Sequence, residues 1–241
     1  MIISAQSAQE QFEKNIDGTS FVQRKIRCEY RINKGVDLSG FYTLNDCALM
    51  LTGQNLSLRG NPTDGDIEHI LSFCEFLGVY GLETELDNLP YKKNTMHLMK
   101  YTGDRCESCQ HIIQNENLYG FSQFCCRNFH GISFPVVYSS LARKVNRGMA
   151  DVYFLTEDRK IVSGAMATRY GLNDIYITFV STRPASRKNG MAATVIRHII
   201  SQNPGRNVIL MCEEKLKHYY ESLGFEHNGE VYLYTLREET Y

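Results

Sequence analysis

Thr182-Arg183-Pro184-Ala185-Ser186-Arg187-Lys188-Asn189-Gly190-Met191-Ala192 joins an alternating apolar run to an amphipathic one. Upstream, residues 174–182 (DIYITFVST) set Ile175, Ile177 and Phe179 against Tyr176, Thr178 and Val180. That is the period of a strand, and large residues on both faces predict a central one. Pro184 cannot continue a ladder. Downstream, Met191, Val195, Ile196, Ile199 and Ile200 recur at helical spacing, which predicts a helix over 190–201. A strand that runs through a short basic loop into a helix leaves the first helical N–H groups without intrahelical acceptors. The aligned peptide dipoles add positive potential there, so the turn is an anion site. Gly190 lets backbone approach a ligand closely, Ala192 keeps the next turn small, and Arg187 and Lys188 add charge. Pyrophosphate suits that chemistry. The dinucleotide pattern G-x-G-x-x-G and the P-loop pattern G-x-x-x-x-G-K-[ST] are both absent.

Outward from this turn, residues 207–213 (NVILMCE) predict a strand and 214–223 a helix ended by Gly224. A last strand, 230–236, follows a turn at Asn228-Gly229. Before the central strand, residues 152–157 and 160–171 flank the turn Asp158-Arg159. Mostly helical stretches are predicted over 106–129 and 136–146, the second ended by Gly148. The order α-α-β-β-β-α-β-α-β is that of a mixed α/β sheet with helices on its faces.

The first part of the chain also reads as α/β. Residues 47–51 and 55–60 predict a hairpin around Thr52-Gly53-Gln54. A helix over 64–77 follows, capped by Asp64 or Asp66, with Ile67, Ile70, Leu71, Cys74 and Leu77 at helical spacing. Then comes a strand over 79–86. Residues 87–94, with Pro90, Lys92 and Lys93, have linker chemistry, so the expected domains are 1–94 and 95–241. The hairpin–helix–strand order of the smaller N-terminal domain echoes the second half, which admits a degenerate duplicate.

The 241 residues are 43% hydrophobic and 22% charged, the balance of a globular protein able to bury a core. Net charge is −1, so no global field draws nucleic acid or an anionic membrane, and neither is an expected partner. The start turns polar after three residues, and no apolar run reaches membrane-spanning length, so a cytoplasmic protein is expected. There the eight cysteines are thiols by default. Cys106-x-x-Cys109 with Cys125, Cys126 and His130 invites a zinc reading, but adjacent cysteines make a poor second knuckle. Buried thiols are preferred, and no metal is expected.

Arg187-x-x-Gly190-x-Ala192, after a strand and before a helix, resembles the CoA-pyrophosphate loop of the GNAT acyltransferase superfamily. His218-Tyr219-Tyr220-Glu221-Ser222-Leu223-Gly224-Phe225 resembles the Tyr-x-x-x-Gly-Phe pattern that closes its last helix. The likeness spans about 155–236. It implies a GNAT-like, mostly antiparallel sheet flanked by helices, and acetyl-CoA or another acyl-CoA as co-substrate. Arg187, Lys188, Asn189, Gly190, Met191 and Ala192 would hold the pyrophosphate. Backbone at Phe179, Val180 and Thr182 would pair with the pantetheine arm, which needs the strand to splay from its neighbour. Tyr220 would donate a proton to the leaving thiolate, against the plainer reading of a packed tyrosine with Tyr219 facing solvent. Glu213 stands where many members carry Asn. With Glu214 and His218 it is a candidate base, none of the three singled out. The implied activity is acyl transfer to a primary amine of a small molecule or peptide. The competing expectation is a catalytically silent CoA-binding or interaction module. Residues 1–94 would shape the acceptor pocket or a homodimer contact.

Overall fold

Alternating apolar residues and short turns give the first unit its sheet. The computed structural model describes residues 1–33, 39–52, 55–73, 78–82, 91–104, 106, 108–109, 111–129 and 132–236. The chain divides into two compact units: Met1–His97 together with Gly229–Tyr241, and Leu98–Asn228. The first contains β1 (Ile3–Ser4), α1 (Gln9–Ile16), α2 (Phe21–Asn33), β2 (Ser39–Leu44), β3 (Cys47–Thr52), β4 (Asn55–Arg59), α3 (Asp64–Phe73) and β5 (Gly78–Leu82). β1, β2, β3 and β4 pair antiparallel in succession, whereas β4 and β5 are parallel. Tyr232–Thr235 of the chain's last strand lie antiparallel to β5 and continue this sheet. Leu44, Leu49, Leu56, Leu58, Ile70 and Tyr234 form its core under α3. On α1 and α2, Phe12 and Tyr30 meet Phe41 of β2 at centroid distances of 6.1 and 5.2 Å.

The cap of α3 is Thr63 and not Asp64 or Asp66. Thr63 Oγ1 accepts from Asp66 N–H (3.2 Å), while Asp66 Oδ2 accepts from Thr63 N–H (2.9 Å). This is a capping box closed by aspartate, so Asp66 is the reciprocal partner of the cap. Thr63→Ala is expected to cost about 1 kcal/mol, read as a lower urea midpoint at unchanged slope.

The second unit contains β6 (Tyr91–Tyr101, here from Leu98), β7 (Ile113–Gln114), α4 (Leu118–Asn128), α5 (Phe134–Asn146), β8 (Ala150–Glu157), β9 (Lys160–Arg169), β10 (Asp174–Thr182), α6 (Met191–Ser201), β11 (Asn207–Glu213) and α7 (Lys217–Glu221), and the start of β12 (Phe225–Leu236). Its strand order is β6-β11-β10-β9-β8-β7. β7/β8, β8/β9 and β9/β10 are antiparallel and β10/β11 parallel. Both units therefore contain the run β-α-α-β-β-β-α-β with the same pairings, β1 to β5 in the first and β7 to β11 in the second, so one topology occurs twice. Val195, Ile196, Ile199 and Ile200 of α6 pack on one face of the second sheet, against Ile175, Ile177, Val208 and Leu210. Phe121, Phe124, Val137 and Leu141 of α4 and α5 cover the other, against Val152, Phe154 and Met166.

Three readings of the sequence need correction. Among the described residues of the stretch 106–129 only 118–128 is α-helical, and Ile113–Gln114 is a strand beside Tyr153 and Phe154. Asparagines decide this. Asn115 turns left-handed (φ 57°) and its side chain binds Asp151 and the Val152 N–H, while Asn117 caps α4 through the Gly120 N–H. The helix expected over 214–223 is a 3₁₀ turn, Glu214–Leu216, followed by the short α7. Asn228-Gly229 makes no hairpin, because β12 runs through it with Gly229 at φ 122°. Tyr91–Asn94, at the end of the expected linker, open β6. Gly53-Gln54, Cys74 to Leu77, strand residues 83–86, linker residues 87–90 and His130 lie outside the described residues. Among the described residues no helix is long and apolar enough to cross a membrane.

Candidate active site

β10 and β11 begin as a pair and then part. Their parallel register runs from Asp174↔Asn207 to Ile177↔Leu210 and stops there. The cause is a β-bulge on the other edge of β10. Thr178 faces Met166 and Ser181 faces Gly164, so Phe179 and Val180 together oppose a single residue, Ala165. Phe179 has φ 55°, a left-handed conformation that costs a non-glycine residue about 1–3 kcal/mol. Packing on both sides holds it. The Phe179 ring meets Phe129 edge-on at 5.7 Å, while Val180 packs into the core beneath α6. The bulged strand twists away from β11, and the backbone of 178–182 has no β11 residue in register.

The end of β10 is anchored toward β9. Arg183 N–H donates to Val162 O (2.8 Å), and Ser163 Oγ lies 2.8 Å from Thr182 Oγ1. Backbone groups alternate along a strand, so the Thr182 carbonyl faces the parted side. There it accepts from Arg187 Nε at 3.2 Å. One backbone group and one cation that the sequence reading gives to the ligand are thus joined to each other.

The loop then tightens. Pro184–Ser186 form a 3₁₀ turn, Lys188 has φ 66° and Gly190, the N-cap of α6, has φ 73°. Gly190 offers no side-chain cap, and a Cβ built on it would meet nothing within 4 Å. The first amide with a helix-type acceptor is Thr194, bonded to Gly190 O at 2.9 Å. Met191, Ala192 and Ala193 precede that bond, so their N–H groups point along the axis with no intrahelical acceptor. Left-handed residues alternating with extended or helical ones, next to a helix start, make a concave nest of amides suited to an anion.

The equivalent helix of the first unit is an internal comparison. The start of α3 is filled by the Thr63–Asp66 box, and Asp64 and Asp66 place negative charge on it. Gly60, just before it, is crowded by Cys47. The two helix starts have opposite electrostatic character although their topology is the same.

Tyr220 lies on α7 and is 6% exposed, whereas Tyr219 is 37% exposed. Its ring meets Phe225 at 5.9 Å and Tyr219 at 5.2 Å. Burial, and then the proximity of Tyr219, Cys212 and Tyr176, raise its phenol above the ordinary tyrosine value. Cys212 belongs to β11 and Tyr176 to β10, so Tyr220 faces the strands that part. Among the described residues its hydroxyl has no hydrogen-bond partner. Gly224 closes α7 with φ 91°, its carbonyl accepting from Thr102 and Gly103 N–H at 3.0 and 3.2 Å. A Cβ there would lie 3.0 Å from the Tyr101 ring, which explains glycine before Phe225.

The other candidates fall elsewhere. The His218 side chain is 98% exposed and pairs with Glu221, and Glu213 pairs with Lys215. Cys125 is buried between α4 and α5, where burial raises its thiol, while Cys106 Sγ lies 3.2 Å from the Tyr101 hydroxyl. Among the described residues no cysteine joins a cluster of three or more metal-type ligands. Ser163, which fixes Thr182, and Phe129, which supports the bulge, belong to the site architecture but carry no motif that marks them in the sequence.

No protein-family profile matches the chain, and no curated protein matches it. Solved structures do. A GCN5-related N-acetyltransferase-like protein from Streptococcus suis superposes with a TM-score of 0.63 at 16% identity, covering 95% of this chain and 99% of that one. A GCN5-related N-acetyltransferase from Kribbella flavida gives 0.61 at 12% identity, covering 92% and 98%. A tandem GNAT protein from the clavulanic acid biosynthesis pathway gives 0.59 at 10% identity, covering 98% and 97%. The chain has the GNAT-superfamily fold, a mixed α/β sheet flanked by helices. The coverage extends over both units.

Proposed function

We propose that the chain is an N-acyltransferase that moves an acetyl or other short acyl group from acyl-CoA to a primary amine of a small molecule or peptide. One observation carries the reading. The uncapped, basic start of α6 stands beside the parted strands β10 and β11, while its counterpart α3 is capped and acidic. An anion is favoured at the first and disfavoured at the second.

In this reading the amides of 188–193 hold a pyrophosphate, with Lys188 adding charge. The unpaired backbone of Phe179 and Val180, and the Thr182 carbonyl once Arg187 releases it, hold the pantetheine arm as an added strand. The neutral amine attacks the thioester carbonyl and the carbon–sulfur bond breaks. Tyr220 delivers its proton to the departing sulfur, and the proton lost by the amine restores the phenol through solvent. Tyr220 is a phenol at neutral pH, and its burial extends that protonated range further into alkali. All seven described cysteines are free thiols, which suits a reducing cytoplasm.

A second reading, a CoA-binding module without turnover, is favoured by the outward placement of His218 and the Glu213–Lys215 pair, which engages two of the three candidate bases elsewhere. Thermal shift with acetyl-CoA and thiol release with an amine panel separate the two. Stabilisation together with thiol release supports the transferase, and stabilisation without release supports the module. Absence of any stabilisation rejects both.

A further inference from the structure

The second unit has a cavity of about 490 Å³ between α4, the β8–β9 turn and the loop before α6. Its lining includes Arg127, Arg159, Lys160, Arg183 and Arg187, and no carboxylate. Composition does not explain this, because the chain carries 26 basic and 27 acidic residues. Among the described residues none of the five forms an ion pair, and Arg187 is held only by the Thr182 carbonyl. Five like charges gathered from three separate elements repel one another. A dianion or polyanion removes that repulsion, and four guanidinium forks match the oxygens of a phosphate. None of Lys188 to Ala193 lines the cavity. It is therefore a different surface from the amides at the start of α6, joined to them through Arg187.

We infer that this cavity is a second anion site, taking a phosphate-class group carried by the amine acceptor. The acceptor assignment rests on the transferase reading; the anion site does not. The same chemistry has another source, the 3′-phosphate of CoA itself.

The test uses the full chain and inorganic tripolyphosphate as probe, followed by calorimetry. Native protein is expected to bind it saturably, and Arg127→Ala/Lys160→Ala to bind it about 10- to 100-fold more weakly. Both residues are exposed and neither serves the acyl-CoA reading. Arg127→Lys/Lys160→Arg, which keeps the charge, is expected to retain binding, which separates a lost contact from a damaged fold. Equal binding by the alanine variant, or no saturable binding by native protein, overturns the site. Acetyl-CoA and its 3′-dephospho form distinguish the sources. If only acetyl-CoA displaces tripolyphosphate, the group is the 3′-phosphate and the acceptor assignment falls. If neither displaces it, and phosphoethanolamine is acetylated with about 10-fold higher kcat/KM than ethanolamine in native protein but not in the alanine variant, the assignment holds. Tripolyphosphate binding without any acetyl-CoA binding overturns the transferase reading and leaves the anion site standing.

Discussion

A Tyr220→Phe variant is expected to bind acetyl-CoA as native protein does and to release thiol about 10²- to 10⁴-fold more slowly. Phenylalanine keeps the ring against Phe225 and Tyr219, so packing and melting temperature should hold. Only the hydroxyl is lost, and that group has no hydrogen-bond partner among the described residues. A loss confined to kcat identifies a proton delivered in the transition state, whereas unchanged kcat removes Tyr220 from the chemistry. The pH profile gives a second readout. The donor works only while protonated, and burial raises its pKa above the ordinary value of 10.0. The alkaline decline of native kcat that Tyr220 causes should therefore lie above pH 10, and the variant should lack that limb.

Phe121→Ala is expected to cost about 3–5 kcal/mol, measured as a lower urea midpoint at unchanged slope. Phe121 is fully buried on α4, with Phe124 at 6.1 Å and Phe154 at 6.3 Å. It lies on bare backbone: a Cβ added to Gly164 would stand 2.7 Å from its Cε2. Glycine has no side chain to move into the space that alanine leaves, so the cavity persists and the cost falls toward the upper end of the range. A cost below 2 kcal/mol would mean that α4 settles onto β9.

The parts of the site written in consecutive residues were legible in the sequence. Periodicity places α6, Pro184 ends β10, and Gly190 and Gly224 sit where backbone geometry demands them. The parting of β10 and β11 was not legible as a bulge. Phe179 and Val180 fit a straight alternating strand, and the bulge depends on Phe129 and Ala165, distant in the chain. Asn228-Gly229 carries a strong hairpin pattern, yet the pairing of Tyr232–Thr235 with β5 overrides it. Around 106–117 apolar residues suggested helix, but Asn115 and Asn117 bind backbone and side chains that only the folded sheet brings near. The repeated topology was visible only as an echo, because element order outlasts the residues that build it.

The strand that continues the first sheet beyond β5 has a consequence for how the protein is made. β5 pairs with Tyr232–Thr235, which follow the whole of Leu98–Asn228 in the chain. A ribosome emits the first unit long before that strand exists. Until then β5 waits with an unpaired edge, open to wrong partners. Synthesis is thus vectorial and the pairing of β5 is not. A chain stopped short of residue 229 would leave β5 without that partner as well as losing its own tail, and residues 1–94 expressed by themselves would be an unfinished sheet.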